Sequence, residues 1–451
     1  QQQQQQQHQQ VQWNEDEEEK DGDACVEEDN DRGENDGRLR LQDSSLSRAN
    51  SAASAFNGQR RGGSLWTRRP QCPASASGAP SSTVQSASPL VPRKGARRQG
   101  ASEMQVASGC RPSAEAASSS TAWPRMVGGA PVDHAAMNRA DVATLIAELE
   151  AHVGPDGIKR ARRDQNSRRK PIPCGVPLLT GHSCDYACRY CYIQDWYPFV
   201  PPTPSELSGN EALLSLLYNP HWVPSRDFII LGDVCDPFHP NLVNRTMEYI
   251  EAVACLGSPV QFSTKSEISA RTAAMLGRIL HGGCPLSALV TITTIRHVRS
   301  LEPTAPSVDS RLQTIRRLAL EGLSVFLFMR PLIPGACDDF PDVLAAAKEA
   351  GAAGVVVGSL RVSKKIYRRL KQAKVADIEA IDQQLRSRSI EPEALTENQV
   401  DIQDEPLRAS IVAKAEQLGL TTVRRACCAN AWCSKLPCRK PNCLMRHLAQ
   451  W

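Results

Sequence analysis

Gly181-His182-Ser183-Cys184-Asp185-Tyr186-Ala187-Cys188-Arg189-Tyr190-Cys191-Tyr192 is the stretch that decides the reading of this chain. Its cysteines are spaced C-x3-C-x2-C, and the run follows directly on an apolar, strand-like segment at 176–180. Thiolates suit iron–sulfur clusters, and short spacings let one loop wrap a cluster. Three cysteines hold three irons of a cubane and leave the fourth open to a ligand, much as a catalytic zinc keeps an open position. Zinc is the competing metal. Its loops usually pair one C-x2-4-C with a second, and no second pair lies nearby. Unligated core thiols are the other alternative, and the polar loop argues against burial.

Downstream of this loop, strand-like and helical segments alternate. Strands are expected at 176–180, 228–231, 260–263, 288–292, 325–329 and 354–357. Helices are expected at 244–254, 267–280, 308–320 and 342–350, with one more opening at Ser208. There, Ser208-Gly209-Asn210-Glu211 has the capping-box spacing ahead of Leu213, Leu214, Leu216 and Leu217. Six such units imply a parallel sheet with right-handed crossovers, and strands this apolar are buried on both faces. A partial (β/α)6 barrel and a doubly wound sheet both satisfy the pattern. Either places the site at the C-terminal ends of the strands.

On these residues the chain resembles the radical S-adenosylmethionine (SAM) superfamily, with Tyr190 at the aromatic position before the last cysteine. Over approximately 173–363 it is most similar to the spore photoproduct lyase branch. Tyr190-Cys191-Tyr192-Ile193-Gln194 resembles that branch's tyrosine-flanked cysteine, and Leu231-Gly232-Asp233-Val234-Cys235-Asp236 its cysteine-bearing segment. Thr264-Lys265-Ser266 resembles its Thr-Lys element, and Leu301-Glu302-Pro303 with Arg311-Leu312 its Glu-Pro…Arg segment. The resemblance implies an α/β fold of the partial (β/α)6 TIM type. It also implies a [4Fe–4S] cluster on Cys184, Cys188 and Cys191, with SAM chelated at the open iron. Reductive cleavage of SAM to methionine and a 5′-deoxyadenosyl radical then calls for an electron donor. Reversal of a thymine-dimer photoproduct in DNA is the sharper activity it implies, with Cys235 as the catalytic hydrogen-atom donor.

The chemistry of the cofactor-binding candidates can be stated separately. Asp233 or Asp236 can accept from a ligand ammonium, and Lys265 can pair with a carboxylate. Thr291 and Thr293 offer hydroxyls at the end of the fourth strand. Each has a plainer alternative: a helix cap for Asp, a solvated Lys, β propensity for Thr. Arg311 can instead pair with Asp309 or Glu302 on the surface.

The C-terminal region, 426–451, departs from the branch. Cys428, Cys433, Cys438 and Cys443 follow a C-x4-C-x4-C-x4-C spacing that matches no standard zinc or ferredoxin pattern. Five cysteines in a segment with little apolar periodicity are hard to explain as packing. A second iron–sulfur cluster or a zinc site is expected there, against a redox dithiol or reduced thiols.

The 451 residues carry a net charge of +4, unevenly spread. Residues 1–136 hold a glutamine tract, an acidic block and Ser/Ala/Gly-rich chain, a composition that cannot bury enough apolar surface to fold. At 137–172 a helical stripe of Val142, Leu145, Ile146 and Leu149 leads into a basic linker, Lys159-Arg160-Ala161-Arg162-Arg163. That run reads as a nucleic-acid contact, a nuclear address or a solubilising segment. The 16 cysteines in short spacings suit a reducing compartment. No secretory signal is visible, and no apolar run reaches the ~18–20 residues of a membrane span. The competing class is a non-catalytic iron–sulfur sensor or nucleic-acid-binding protein.

Overall fold

The computed structural model describes residues 139–172 and 174–437. The expectation for residues 1–136, and Cys438 and Cys443, lie outside the described residues.

A seven-stranded, wholly parallel sheet forms the core. Its strands are β1 (Val176–Pro177), β2 (Ile229–Leu231), β3 (Val260–Thr264), β4 (Leu286–Thr291), β5 (Ser324–Met329), β6 (Gly354–Val357) and β7 (Thr421–Val423). They lie side by side in chain order. Ile229 registers with Val260, Val260 with Leu286, Phe328 with Val356 and Val356 with Val423. Strands β1 and β7 are the two edges and do not pair with each other. The structure is therefore an open, partial β/α barrel, as expected, with one strand more than the sequence announces. That strand, Thr421-Thr422-Val423, is too short to carry an alternation of its own.

Alternate side chains explain why each strand reads as a continuous apolar run. Ile229, Leu231, Val260, Phe262, Ala288, Val290, Val325, Leu327, Val355 and Val357 face outward into the main core. Leu289, Phe326 and Val356 face inward into a second cluster. The outer layer comprises α2 (Gly209–Leu217), α3 (Val243–Val253), α4 (Ala270–His281), α5 (Val308–Leu320), α6 (Phe340–Glu349) and α9 (Glu405–Gln417). The capping box is present: Ser208 Oγ accepts from Glu211 N at 3.3 Å, and Glu211 accepts from Ser208 N at 2.9 Å. Ser269 and Ser307 cap α4 and α5 by accepting from Thr272 N and Ser310 N.

Three segments depart from expectation. The basic run is not a linker but the end of a kinked helix, α1 (Arg139–Arg163), which turns at Gly154 with φ 68°. Arg160 pairs with Glu211 at 2.5 Å and Arg162 with Glu150 at 3.2 Å, so both serve intramolecular packing. Beyond β6, an insertion builds a small lobe with its own apolar cluster. It contains α7 (Lys364–Ala373), α8 (Ile378–Ser387) and an antiparallel ribbon of Leu360–Val362 with Val400–Ile402.

The last departure is α10 (Ala426–Ser434), formed by the first part of the cysteine-rich tail. It packs on the inward face of the sheet, with Trp432 edge-on to Phe326 at 5.3 Å between ring centroids. Cys427 and Cys428 are buried there among Ala429 and Ala431, so these two cysteines do serve packing. Cysteine and alanine form the buried face, a pattern a search for larger apolar residues passes over. No helix among the described residues is long and apolar enough to cross a membrane.

Candidate functional site

The cysteine loop leaves β1 on a tight course. Gly181–His182 pairs with Thr203–Pro204, and Ser183 and Ala187 adopt left-handed φ values of 69° and 55°. Such values are costly for residues with a Cβ, and here local bonds hold the chain in them. Ser183 Oγ reaches the carbonyls of Val200 at 3.0 Å and Pro201 at 2.9 Å. Gln194 Nε2 donates to the Cys184 carbonyl at 2.7 Å, and Cys191 N to the Cys188 carbonyl at 3.1 Å.

These turns bring Cys184, Cys188 and Cys191 into one small cluster with Tyr186, Tyr190 and Ala305. Burial pushes the Cys188 thiol up to about 12, against the opposing pull of Lys265, and raises Cys184 and Cys191 as well. Metal loading therefore has to displace protons from all three. Among the described residues, no three His, Cys, Asp or Glu side chains converge on a point as one metal ion requires. Three thiols on one short loop offer the soft donors that an iron–sulfur cluster or a zinc ion takes.

Beside the loop lies a buried charge network. Glu302 and Arg311 form an ion pair of 2.5 Å with side chains 1% and 0% exposed. Arg311 also donates to the Thr291 carbonyl at 3.0 Å, and Tyr190 O–H donates to Glu302. The Lys265 ammonium sits 5.5 Å above the Tyr190 ring. Burial pulls the Lys265 pKa down, but Cys188 and Glu302 outweigh it and the net shift is upward. Arg311 is thus paired with one of the two acids expected of it, in the interior and not on the surface.

The two aspartates of the β2 segment separate cleanly. Asp236 accepts from Thr264 Oγ1 and Lys265 N, both at 2.6 Å, from Ser266 Oγ at 2.8 Å and from Phe238 N at 3.1 Å. These bonds shape the turn after β3. Burial raises the pKa of Asp233 while Arg169 lowers it. Asp233 lines a cavity of 490 Å³ together with Tyr190, Cys191 and Tyr192. Lys265, Thr291, Thr293 and Arg311 do not line this cavity; Lys265, Arg311 and the Thr291 carbonyl belong to the charge network.

Cys235 is buried against Thr180, with Sγ 4.0 Å from Oγ1, and does not line the cavity either. Burial pushes its thiol up to about 12. In the tail, Cys428 and Cys433 are five residues apart on one helix, or about 140° around its axis. The helix as it stands does not direct both thiols to one ion. Burial pushes the Cys433 thiol up to about 11, against the opposing effect of Ser324 and Ser287.

One residue that the sequence reading missed is Arg369. Its guanidinium donates to the carbonyls of Arg189 and Cys191, both at 2.9 Å, and pairs with Asp195 at 2.5 Å. It stands on α7, where Ile366 and Leu370 mark the buried face and Arg369 follows one step around. That stripe was the available signal.

Fold and site together define an open parallel β/α barrel with a three-cysteine loop at the C-terminal end of its first strand. No family model matches the chain, and no curated protein matches it. Among solved structures it is similar to spore photoproduct lyase complexed with dinucleoside spore photoproduct, at 15% identity, covering 59% of this chain and 83% of that one, with a TM-score of 0.43. A variant of that lyase with bound AdoMet and dinucleoside spore photoproduct gives 15% identity, 62% and 94% coverage and a TM-score of 0.44. The radical S-adenosylmethionine methyltransferase TsrM from Kitasatospora setae gives 12%, 62%, 60% and 0.35. These are likenesses in the course of the chain. What this protein does has to be carried by its own residues.

Proposed function

We propose that this protein is a radical SAM enzyme acting on a substrate held in the barrel. The observation that carries the reading is the gathering of Cys184, Cys188 and Cys191 around one apolar cluster at the end of β1. When bound, a [4Fe–4S] cluster on these thiols would supply the electron that cleaves SAM to methionine and a 5′-deoxyadenosyl radical. The chain's own residues then have three tasks. Gln194 and Arg369 hold the loop by its carbonyls. Tyr190, Glu302 and Arg311 brace it from behind. Asp233, at the cavity wall, is the group placed to accept from a ligand ammonium. The lyase version of this reading asks for a thiol that faces the substrate. Cys235 faces Thr180 instead, so we assign no reaction beyond the radical step.

Anaerobic reconstitution tests the proposal. The protein should take up a reducible cubane whose spectrum changes with SAM, and dithionite should then release 5′-deoxyadenosine. Replacing any one of Cys184, Cys188 or Cys191 with Ala should abolish that release. Full SAM cleavage in such a variant refutes the assignment, and a cluster without cleavage favours the sensor class.

A further inference from the structure

The barrel is open along the line between its unpaired edges, β1 and β7. The cavity that begins at Tyr190 and Cys191 extends to this seam. Six arginines line it: Arg169 ahead of β1, Arg330 after β5, Arg361 just past β6, Arg408 in the first turn of α9, and Arg424 and Arg425 directly after β7. A guanidinium keeps its proton under all ordinary conditions, so these are six fixed positive charges around one space.

Four acids share the cavity: two are used by neighbouring hydrogen bonds, and a third is paired with two of the six arginines. Asp401 accepts from Ser359 Oγ and from Gln403 Nε2. Asp404 caps α9 through Leu407 N at 3.0 Å. Glu405 takes Arg408 at 2.6 Å and Arg424 at 3.8 Å. Six guanidinium groups against four carboxylates still leave positive charge in excess. A second feature has the same sign: α10 opens on the cavity at Ala426 with no side-chain cap, so its positive dipole end also faces inward.

We propose that this arginine seam binds the phosphate group of a small phosphorylated substrate, whose reacting carbon then lies toward Cys191. The proposal rests on the radical SAM reading for the chemistry at the Cys191 end, but not for the anion site itself. Phosphate is the oxyanion that best uses several forked donors, because it offers three oxygens and a charge near −2. The volume of 490 Å³ lies within the range of small-molecule sites, roughly 300–1,000 Å³, which favours a single small ligand over a polymer.

The test is calorimetric binding of inorganic pyrophosphate and adenosine 5′-monophosphate to the full chain, with adenosine as the neutral control and a short single-stranded oligonucleotide as the polymer control. Both phosphates should bind, adenosine should not, and affinity should fall between about 50 and about 200 mM salt. Arg424→Gln, Arg425→Gln and Arg361→Gln should each weaken pyrophosphate by about tenfold, the size of one charge-assisted contact. Melting curves identify any variant that has lost its fold, and the remaining two decide the point. No phosphate binding, binding indifferent to the substitutions, or binding by the oligonucleotide alone overturns the proposal. SAM cleavage is measured separately. Phosphate binding without cleavage sinks the enzyme reading and leaves the seam, and cleavage without phosphate binding does the reverse.

Discussion

Arg369 Nη2 donates to the carbonyl of Cys191 at 2.9 Å, across 178 positions of sequence. A side chain from the inserted lobe thus holds the backbone of the last cysteine of the motif. The same guanidinium holds the Arg189 carbonyl and is itself fixed by Asp195.

Arg369→Ala should therefore loosen the loop without removing a thiol. Partners one step away from metal ligands typically cost 10–100-fold in metal affinity when lost. Iron retained under chelator challenge should fall by about tenfold or more, with secondary structure unchanged. Retention equal to the parent would show that the lobe does not support the loop.

The Glu302–Arg311 pair should be a large contributor to the integrity of the site. Arg311→Leu leaves a carboxylate buried without its cation, which costs roughly 3–5 kcal/mol. Urea denaturation of the metal-free protein measures this. A loss below about 1 kcal/mol would mean that Glu302 is simply neutralised.

Asp233 gives a pH signature. Its pKa is raised by burial above the ordinary 3.8. Between the unfolded and folded pKa values the native state binds more protons, so stability falls as pH rises through that window. Asp233→Asn should be more stable than the parent at pH 7. The gap should close on acidification through the raised pKa and vanish below the ordinary value. Parallel stability curves at all pH values would remove the burial argument.

The tail offers a fourth test. Cys428 is packed against the inner face of the sheet, so Cys428→Ala should cost about 1 kcal/mol of stability and leave iron and zinc per chain unchanged. A drop in metal content would restore the metal role expected of the four regularly spaced cysteines.

What could be read from the sequence was local. The Ser208–Glu211 box and the strand–helix alternation are written in neighbouring residues, and both appear as expected. The cysteine loop was equally visible, because its three thiols span eight positions. The role of Asp236 was not, since three of its four donors come from the end of β3, 28 to 30 positions away. Arg369 was hidden for the same reason at longer range. The seventh strand and α10 escaped because three residues, or a face of Cys and Ala, carry too little apolar contrast to register as periodicity.

A closed barrel fixes its bore through an unbroken ring of backbone hydrogen bonds. Here β1 and β7 share none, so the wall behaves as a split ring. It can spread or tighten along one line without breaking any strand pairing. Arg169 stands on one lip and Arg424 and Arg425 on the other. On the proposed reading, an anion between them would be held by both lips at once. Occupancy of the seam would then bear on the width of the barrel itself.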